Sequence, residues 1–434
     1  MNLKKILRNR TVANAGWIIG GRLMNKVLAF LVSIFTARYL GPDHFGLINY
    51  TAAFTTFFAS LCNLGINSVI IKNFVDHPEE EGQTIGTTLV LRAVSSLLSA
   101  VMIVGIVSIL DSGESMTILV AFLGSIGLLF QIFDTFKYWF QSRLQSKYAA
   151  IATVLSYAVM SGYKIILLLT GRSVAWFAMA TSVDYVVVAV FLLAAYRKNG
   201  GPALSFSGKK ARELLKASGN FILSGLMVSV YASTDRLMLK QMLDDSSVAY
   251  YSLAVSLSTT WAFVLQAVID SMYPAVLQSF GQDKAVFSRK NRQMYAIVIY
   301  MAAAVSLVIS LYAQPIVQML YGQAYFPAVR PLRIVVWYTA FSYLGVARNA
   351  WIVSMNCQRY LKYLYCGAAI INVALNWLLI PQWGPSGAAA ASLVTQISTV
   401  ALLPLVIPPL RPNARLMLEA LLLRDVLPGK RTEK

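Results

Sequence analysis

Ten ionisable side chains interrupt stretches that otherwise read as hydrocarbon. Arg22, Lys26, Arg92, Lys164, Arg236 and Arg348 are basic; Asp134, Asp184, Asp235 and Asp270 are acidic. Each such group costs about 2.5–3.5 kcal/mol at the centre of a membrane-spanning helix. Facing lipid, all ten together would cost on the order of 25–35 kcal/mol, more than the roughly 5–15 kcal/mol by which a fold is stable. They must face a water-filled interior or one another. A wet, mostly cationic interior implies passage of something anionic.

Their spacing sorts them further. Arg22 and Lys26 are four residues apart, on one helical face. Like charges so placed repel, so something anionic is expected opposite. Lys26 lies about 18 Å along the helix from Asn14, too deep to snorkel comfortably to the surface. Asp235 and Arg236 are adjacent, so they point in different directions, one to the interior and one to a neighbouring helix. Lys240, one turn on, reads as an anchor at the membrane surface. Lys164 and Asp184 sit on the two arms of a tight hairpin with depths differing by roughly 7–8 Å, which permits either an ion pair or a cationic site beside a titratable one. Asp134 and Lys137 read as an ordinary helix pair. Arg92 and Asp270 sit towards helix ends, and Arg348 lies deep in its segment.

The elements that must carry these groups follow from composition. Of 434 residues, 57% are hydrophobic and 13% charged, where a soluble protein has about 25% charged. This is the profile of an all-α integral membrane protein with about twelve transmembrane helices. Apolar segments fall near 14–36, 45–71, 84–110, 116–138, 149–170, 173–196, 218–243, 248–273, 293–314, 329–355, 362–380 and 386–410, each long enough to cross about 30 Å of hydrocarbon. The net charge of +19 concentrates in alternate connections, whereas the opposite loops hold only Arg38 and Arg172. By the positive-inside rule both termini are expected in the cytoplasm, and nucleic acid is excluded as a partner. The basic N-terminus followed by an apolar run is expected to be a retained first helix, because Arg22 and Lys26 interrupt the run.

The longest internal connection, with Asn199-Gly200-Gly201-Pro202 followed by Lys209, Lys210, Arg212 and Lys216, divides the chain. The expected organisation is an N-lobe at 1–200 with helices one to six, a cytoplasmic linker at 201–216, a C-lobe at 217–410 with helices seven to twelve, and a tail at 411–434. The first and seventh segments align without a gap, matching Gly16/Gly219, Ile19/Ile222, Leu23/Leu226 and Met24/Met227. Both start on one side, so the repeat is parallel. Gly16 and Gly20 form a helix-packing patch. Trp17, Trp139, Trp176 and Trp383 lie near segment ends, as interfacial belts do.

Several chemistries are excluded. Two histidines and three scattered cysteines give neither a metal site nor a disulfide framework. No phosphate loop of the G-x-x-x-x-G-K-[ST] type is present. No connection is long enough for a soluble catalytic domain. The expected cofactor set is empty, and the protein is expected not to be an enzyme.

Ala37-Arg38-Tyr39-Leu40-Gly41-Pro42, continuing through Phe45-Gly46-Leu47, follows a basic first helix. Asp235 through Ala254, Leu320-Tyr321-Gly322-Gln323-Ala324-Tyr325 with Leu332-Arg333-Ile334, and Trp383-Gly384-Pro385-Ser386-Gly387 with the alanine run to Ser392 come later in the same order. This series resembles the bacterial polysaccharide or O-antigen (Wzx-type) flippases of the multidrug/oligosaccharidyl-lipid/polysaccharide exporter superfamily. One departure is Ala249, where that family often has glycine. The resemblance implies two six-helix lobes around a central cavity and a location in the bacterial inner membrane. It implies a polyprenyl-diphosphate-linked oligosaccharide as cargo, with its tail in membrane lipid, and partners such as a polysaccharide polymerase and a chain-length regulator. On that basis Arg22, Lys26, Lys164, Arg236, Arg348 and Arg92 are the candidate substrate-binding residues. Asp235, Asp184 and Asp270 are the candidate ion-coupling residues.

Three rivals use the same features differently. A flippase for lipid-linked peptidoglycan precursor is implied to have fourteen helices, against the twelve expected here. A drug/cation antiporter calls for an acidic cavity. A membrane glycosyl polymerase calls for a large external loop.

Overall fold

A glycine and a proline set the first turn of the chain. Helix α1 (Arg10–Asn63) leaves helical geometry only at Gly41, with φ 71° and ψ 173°, and Pro42 follows. A Cβ at Gly41 would meet nothing within 4 Å, so the requirement is for the backbone angle itself. The segments expected at 14–36 and 45–71 are therefore two arms of one bent element, the second reaching into α2 (Asn67–Asp76). The computed structural model describes the backbone of residues 10–281 and 283–423, and side chains from Leu28 onward except Ser68, Asn220, Leu223 and Ser224.

The next helices are α3 (Glu81–Leu110), α4 (Ser115–Gln131), α5 (Thr135–Ser142), α6 (Lys147–Thr170) and α7 (Val174–Lys198). A left-handed Gly171 (φ 65°, ψ 38°) closes α6 and leaves one short turn before α7, the tight hairpin expected from Gly171-Arg172. Then come α8 (Gly208–Met242), α9 (Asp245–Thr260), α10 (Phe263–Phe280), α11 (Lys284–Leu311), α12 (Ala313–Tyr321) and α13 (Val329–Ser354). Asp244 caps α9 by accepting from the Ser247 amide at 2.7 Å. The chain finishes with α14 (Leu361–Trp383), α15 (Pro385–Ile397), α16 (Leu403–Val406) and α17 (Arg411–Leu421).

Every one of the twelve apolar segments coincides with one of these helices or a consecutive pair, and no strand occurs among the described residues. Among the described residues, eight helical stretches are long and apolar enough to cross a membrane. The pair α9 and α10, bent by 42°, forms a further candidate. The protein is an all-α, multi-pass membrane protein.

The chain divides into two compact units, residues 1–229 and 230–434, and the division falls inside α8. In the first unit the connection before α8 is strapped along the start of α3. A Cβ at Gly82 would lie 2.2 Å from the Ala203 carbonyl oxygen, and one at Gly86 2.3 Å from that of Ser205. The Ser207 amide donates to Thr87 Oγ1 at 3.0 Å, the Tyr196 hydroxyl donates to the Pro202 carbonyl, and Lys210 pairs with Glu80. The core beneath holds Phe136, Trp139, Phe140 and Tyr196. Trp139, expected in an interfacial belt, is 0% exposed. Its indole N–H donates to Glu81 Oε2 at 2.9 Å, and that partner is what allows the whole ring to be buried. Trp176 and Trp383 remain exposed, as a belt requires.

The second unit has its own core around Met294, Tyr295, Ala347, Trp351 and Leu364. Residues 411–421 form α17, which packs against α11. Asn413 donates to the Tyr295 hydroxyl at 2.7 Å, and Arg292 meets Glu419 at 2.7 Å.

Candidate functional site

Asp235 is the best-surrounded charge in the second unit. It comes from α8 and is buried. Asn372 and Asn376, one turn apart on α14, donate their amide nitrogens to Oδ1 at 3.0 and 2.6 Å. The Tyr251 hydroxyl from α9 and the Ser392 hydroxyl from α15 donate to Oδ2. Four helices thus converge on one carboxylate. No basic side chain lies within ion-pairing distance among the described residues.

This arrangement is neither of the two that the lipid argument allowed, a wet surface or an opposite charge. Four neutral donors offset the desolvation of the carboxylate instead. One atom stays over: Asn376 Oδ1 is buried without a hydrogen-bond partner, whereas Asn372 Oδ1 accepts from Asn376. The four donors fill the lone-pair sites of the carboxylate, so Asp235 is accommodated without a counter-charge, and Asn376 Oδ1 is left as an unpaired buried acceptor.

Arg236, the next residue, turns away from Asp235 as its position requires, and its Nε donates to Ser252 Oγ at 3.1 Å. Lys240 pairs with Asp245 at 2.7 Å. Arg348 is buried on α13, and its Nη1 donates to the Thr399 carbonyl at 2.9 Å, in the widened π-helical turn Ser398–Leu402. Such a turn disturbs the regular backbone pairing, and here one of its carbonyls accepts from the guanidinium. Asp270 is exposed and accepts from Gln266 one turn earlier at 2.8 Å.

In the first unit Arg92 is buried. Its Nη1 donates to Thr135 at 3.0 Å, its Nη2 donates to Asn67 Oδ1, and its guanidinium sits 5.6 Å from the Tyr138 ring centre. Asp134 and Lys137 make the expected helix pair, 2.8 Å apart. Asp184 is half-buried on α7 and accepts from the Ser156 hydroxyl of α6. Lys164 is also half-buried and makes no ion pair within 4.0 Å among the described residues. The side chains of Arg22 and Lys26 lie outside the described residues.

The structure therefore brings Asp235 together with four residues that charge-based reasoning passed over: Tyr251, Asn372, Asn376 and Ser392. A signal was present. Two asparagines at a spacing of four within an apolar span mark one polar helix face, and a polar face inside a membrane needs a partner.

A many-helix bundle with ionisable groups set into its spans is a polytopic membrane fold with polar sites in its interior. The sequence profile described as polysaccharide biosynthesis protein matches residues 11–280, and the chain belongs to that family. Comparison with curated proteins returns no match. Among solved structures, lipid II flippase MurJ in an inward closed conformation superposes with a TM-score of 0.75 at 12% identity, covering 94% of this chain and 92% of that one. An inward-facing multidrug resistance MATE family transporter of the MOP superfamily gives 0.66 at 16% identity, with coverage of 90% and 94%. A mutant form of the Vibrio cholerae MATE transporter VcmN gives 0.55 at 14%, with coverage of 91% and 100%. At these identities the likeness establishes the fold, that of the MurJ and MATE transporters.

Proposed function

We propose that the protein is a flippase that carries a polyprenyl-diphosphate-linked oligosaccharide across the bacterial inner membrane by alternating access, driven by an ion gradient through Asp235. The observation that carries this reading is the buried Asp235 centre in a transporter fold of the polysaccharide biosynthesis family. A chain that only anchored other proteins would have no use for a carboxylate held by four helices. In this reading Asp235 takes a proton or sodium ion, with Asp184 and Asp270 as secondary groups. Moving one elementary charge through 100 mV supplies about 2.3 kcal/mol, which biases two arrangements by tens-fold.

The cargo's diphosphate requires cationic surroundings once it leaves water. Arg22, Lys26, Lys164 and Arg236 are assigned that role, with Arg92 and Arg348 acting from buried positions. Both termini lie in the cytoplasm, and a polymerase and chain-length regulator receive the cargo on the far side. No cofactor takes part, and no bond of the cargo is made or broken.

The test is leaflet transfer of labelled lipid-linked oligosaccharide in sealed proteoliposomes, with and without imposed proton and sodium gradients. Transfer that one of these gradients accelerates is the expected result. Movement of lipid-linked peptidoglycan precursor instead would reassign the cargo, and movement of organic cations instead would make the protein an antiporter.

A further inference from the structure

The first unit contains a cleft of about 500 Å³ between the end of α1, the turn into α2, and residues 221–229 of α8. Its walls include Ser60, Asn63, Asn67, Phe221, Gly225 and Ser229, and none of its lining residues is charged. Polar and apolar residues alternate around the cleft, and it lies within segments that are otherwise apolar, where unpaired polar groups are costly.

The hydrogen bonds on the page fix what the cleft offers. Arginine can only donate, so the Asn67 atom that meets Arg92 is its carbonyl oxygen. That leaves the Asn67 amide nitrogen, which makes no hydrogen bond among the described residues, as a donor. Asn63 has the opposite polarity: its nitrogen is taken by the Ala59 carbonyl at 3.0 Å, which leaves its oxygen as an acceptor. The Ser60 and Ser229 hydroxyls make no hydrogen bond among the described residues. Phe221 is 52% exposed at the rim. A Cβ at Gly225 would come within 3.0 Å of Ser60 Oγ, so glycine there keeps the two helices close without filling the cleft.

One donor, one acceptor, two hydroxyls and an aromatic face, with no net charge, match a neutral polyhydroxylated ring. Ring hydroxyls pair with the amides and serines, and the weakly positive C–H face of the ring lies on the electron-rich face of Phe221. An anion would call for a cation in the wall, and a hydrocarbon chain would leave every polar group unpaired.

We infer that this cleft binds the sugar of the transported lipid, with Asn63, Asn67 and Phe221 as specificity-determining residues; this rests on the flippase reading above. Asn67→Asp removes the donor facing the cleft and keeps an acceptor for Arg92, but its carboxylate also changes the charge beside a guanidinium assigned to the diphosphate, so it is read only alongside variants that avoid Arg92. Phe221→Ala and Ser60→Ala are companions that leave Arg92 untouched. The probes are the lipid-linked oligosaccharide pool extracted from cells that make the protein, and synthetic polyprenyl diphosphate without sugar.

The half-saturating concentration for the oligosaccharide lipid is expected to rise roughly fivefold to tenfold in Phe221→Ala, with the sugar-free lipid unchanged. Equal changes for both lipids, or no change for either, would overturn the assignment and leave a cleft filled only by water. Wild-type protein that moves neither lipid would overturn the flippase reading as well.

Discussion

Among single residues, two buried charges are handled in two ways, and each makes a prediction. Asp235 is held by neutral donors that fit a carboxylate and leave Asn376 Oδ1 unpaired. Asp235→Asn removes the charge with little change of volume, so the fold should persist while the gradient-dependent part of transport disappears. Flux in proteoliposomes at zero and imposed gradient checks this, and unchanged acceleration by the gradient would remove Asp235 from the coupling step. Arg92 is paired through neutral acceptors and, besides the role proposed for it, ties α3 to α2 and α5 through Asn67 and Thr135. Arg92→Met keeps much of the stem but strands both acceptors. It should destabilise the first unit by about 1.5–3 kcal/mol, read as a lower Tm in detergent.

Within the helices and their connections, backbone geometry outweighs side-chain chemistry. Gly41 bends α1 with φ and ψ in a region essentially confined to glycine, so Gly41→Ala meets no packed neighbour but suffers the backbone strain of that region, about 1–3 kcal/mol. A modest fall in Tm is expected, and an unchanged Tm would show that the bend relaxes elsewhere. At Gly82 and Gly86 the reason for glycine is space, since the strap's carbonyl oxygens occupy the position of a Cβ. Gly86→Val should lift residues 203–207 from α3 and make that connection more open to protease than in wild type, visible on a gel as faster cleavage just before α8. Both glycines lie within a helix, where the usual preference is against them, which is why their role is visible only from the contact.

For the protein as a whole, orientation is the testable quantity. The asymmetry of Lys and Arg predicts a cytoplasmic α7–α8 connection and an external α6–α7 hairpin. In a background with Cys62, Cys357 and Cys366 replaced, a cysteine at Lys209 should react with a membrane-impermeant thiol reagent only after the cells are opened, and one at Arg172 in intact cells. The reverse pattern would invert the topology and with it the direction of transport.

Periodicity and length settled a great deal unaided. Twelve apolar segments and the Gly171 hairpin are local properties, and local properties survive into the fold because lipid obliges each span to satisfy its own backbone by forming a helix. Asp235 likewise stood out along the chain as a charge in need of explanation. What surrounds it depends on helix packing, because Tyr251, Asn372, Asn376 and Ser392 come from three other helices and meet only when those helices come together. The same holds for Trp139, which lies near a segment end and still is buried, because Glu81 reaches its indole. It holds for residues 411–421, where the chain forms a helix docked through Asn413 and Glu419. A charge in hydrocarbon announces itself along the chain; a neutral partner does not, since its cost is small until the fold brings it within about 3 Å of the charge it must satisfy.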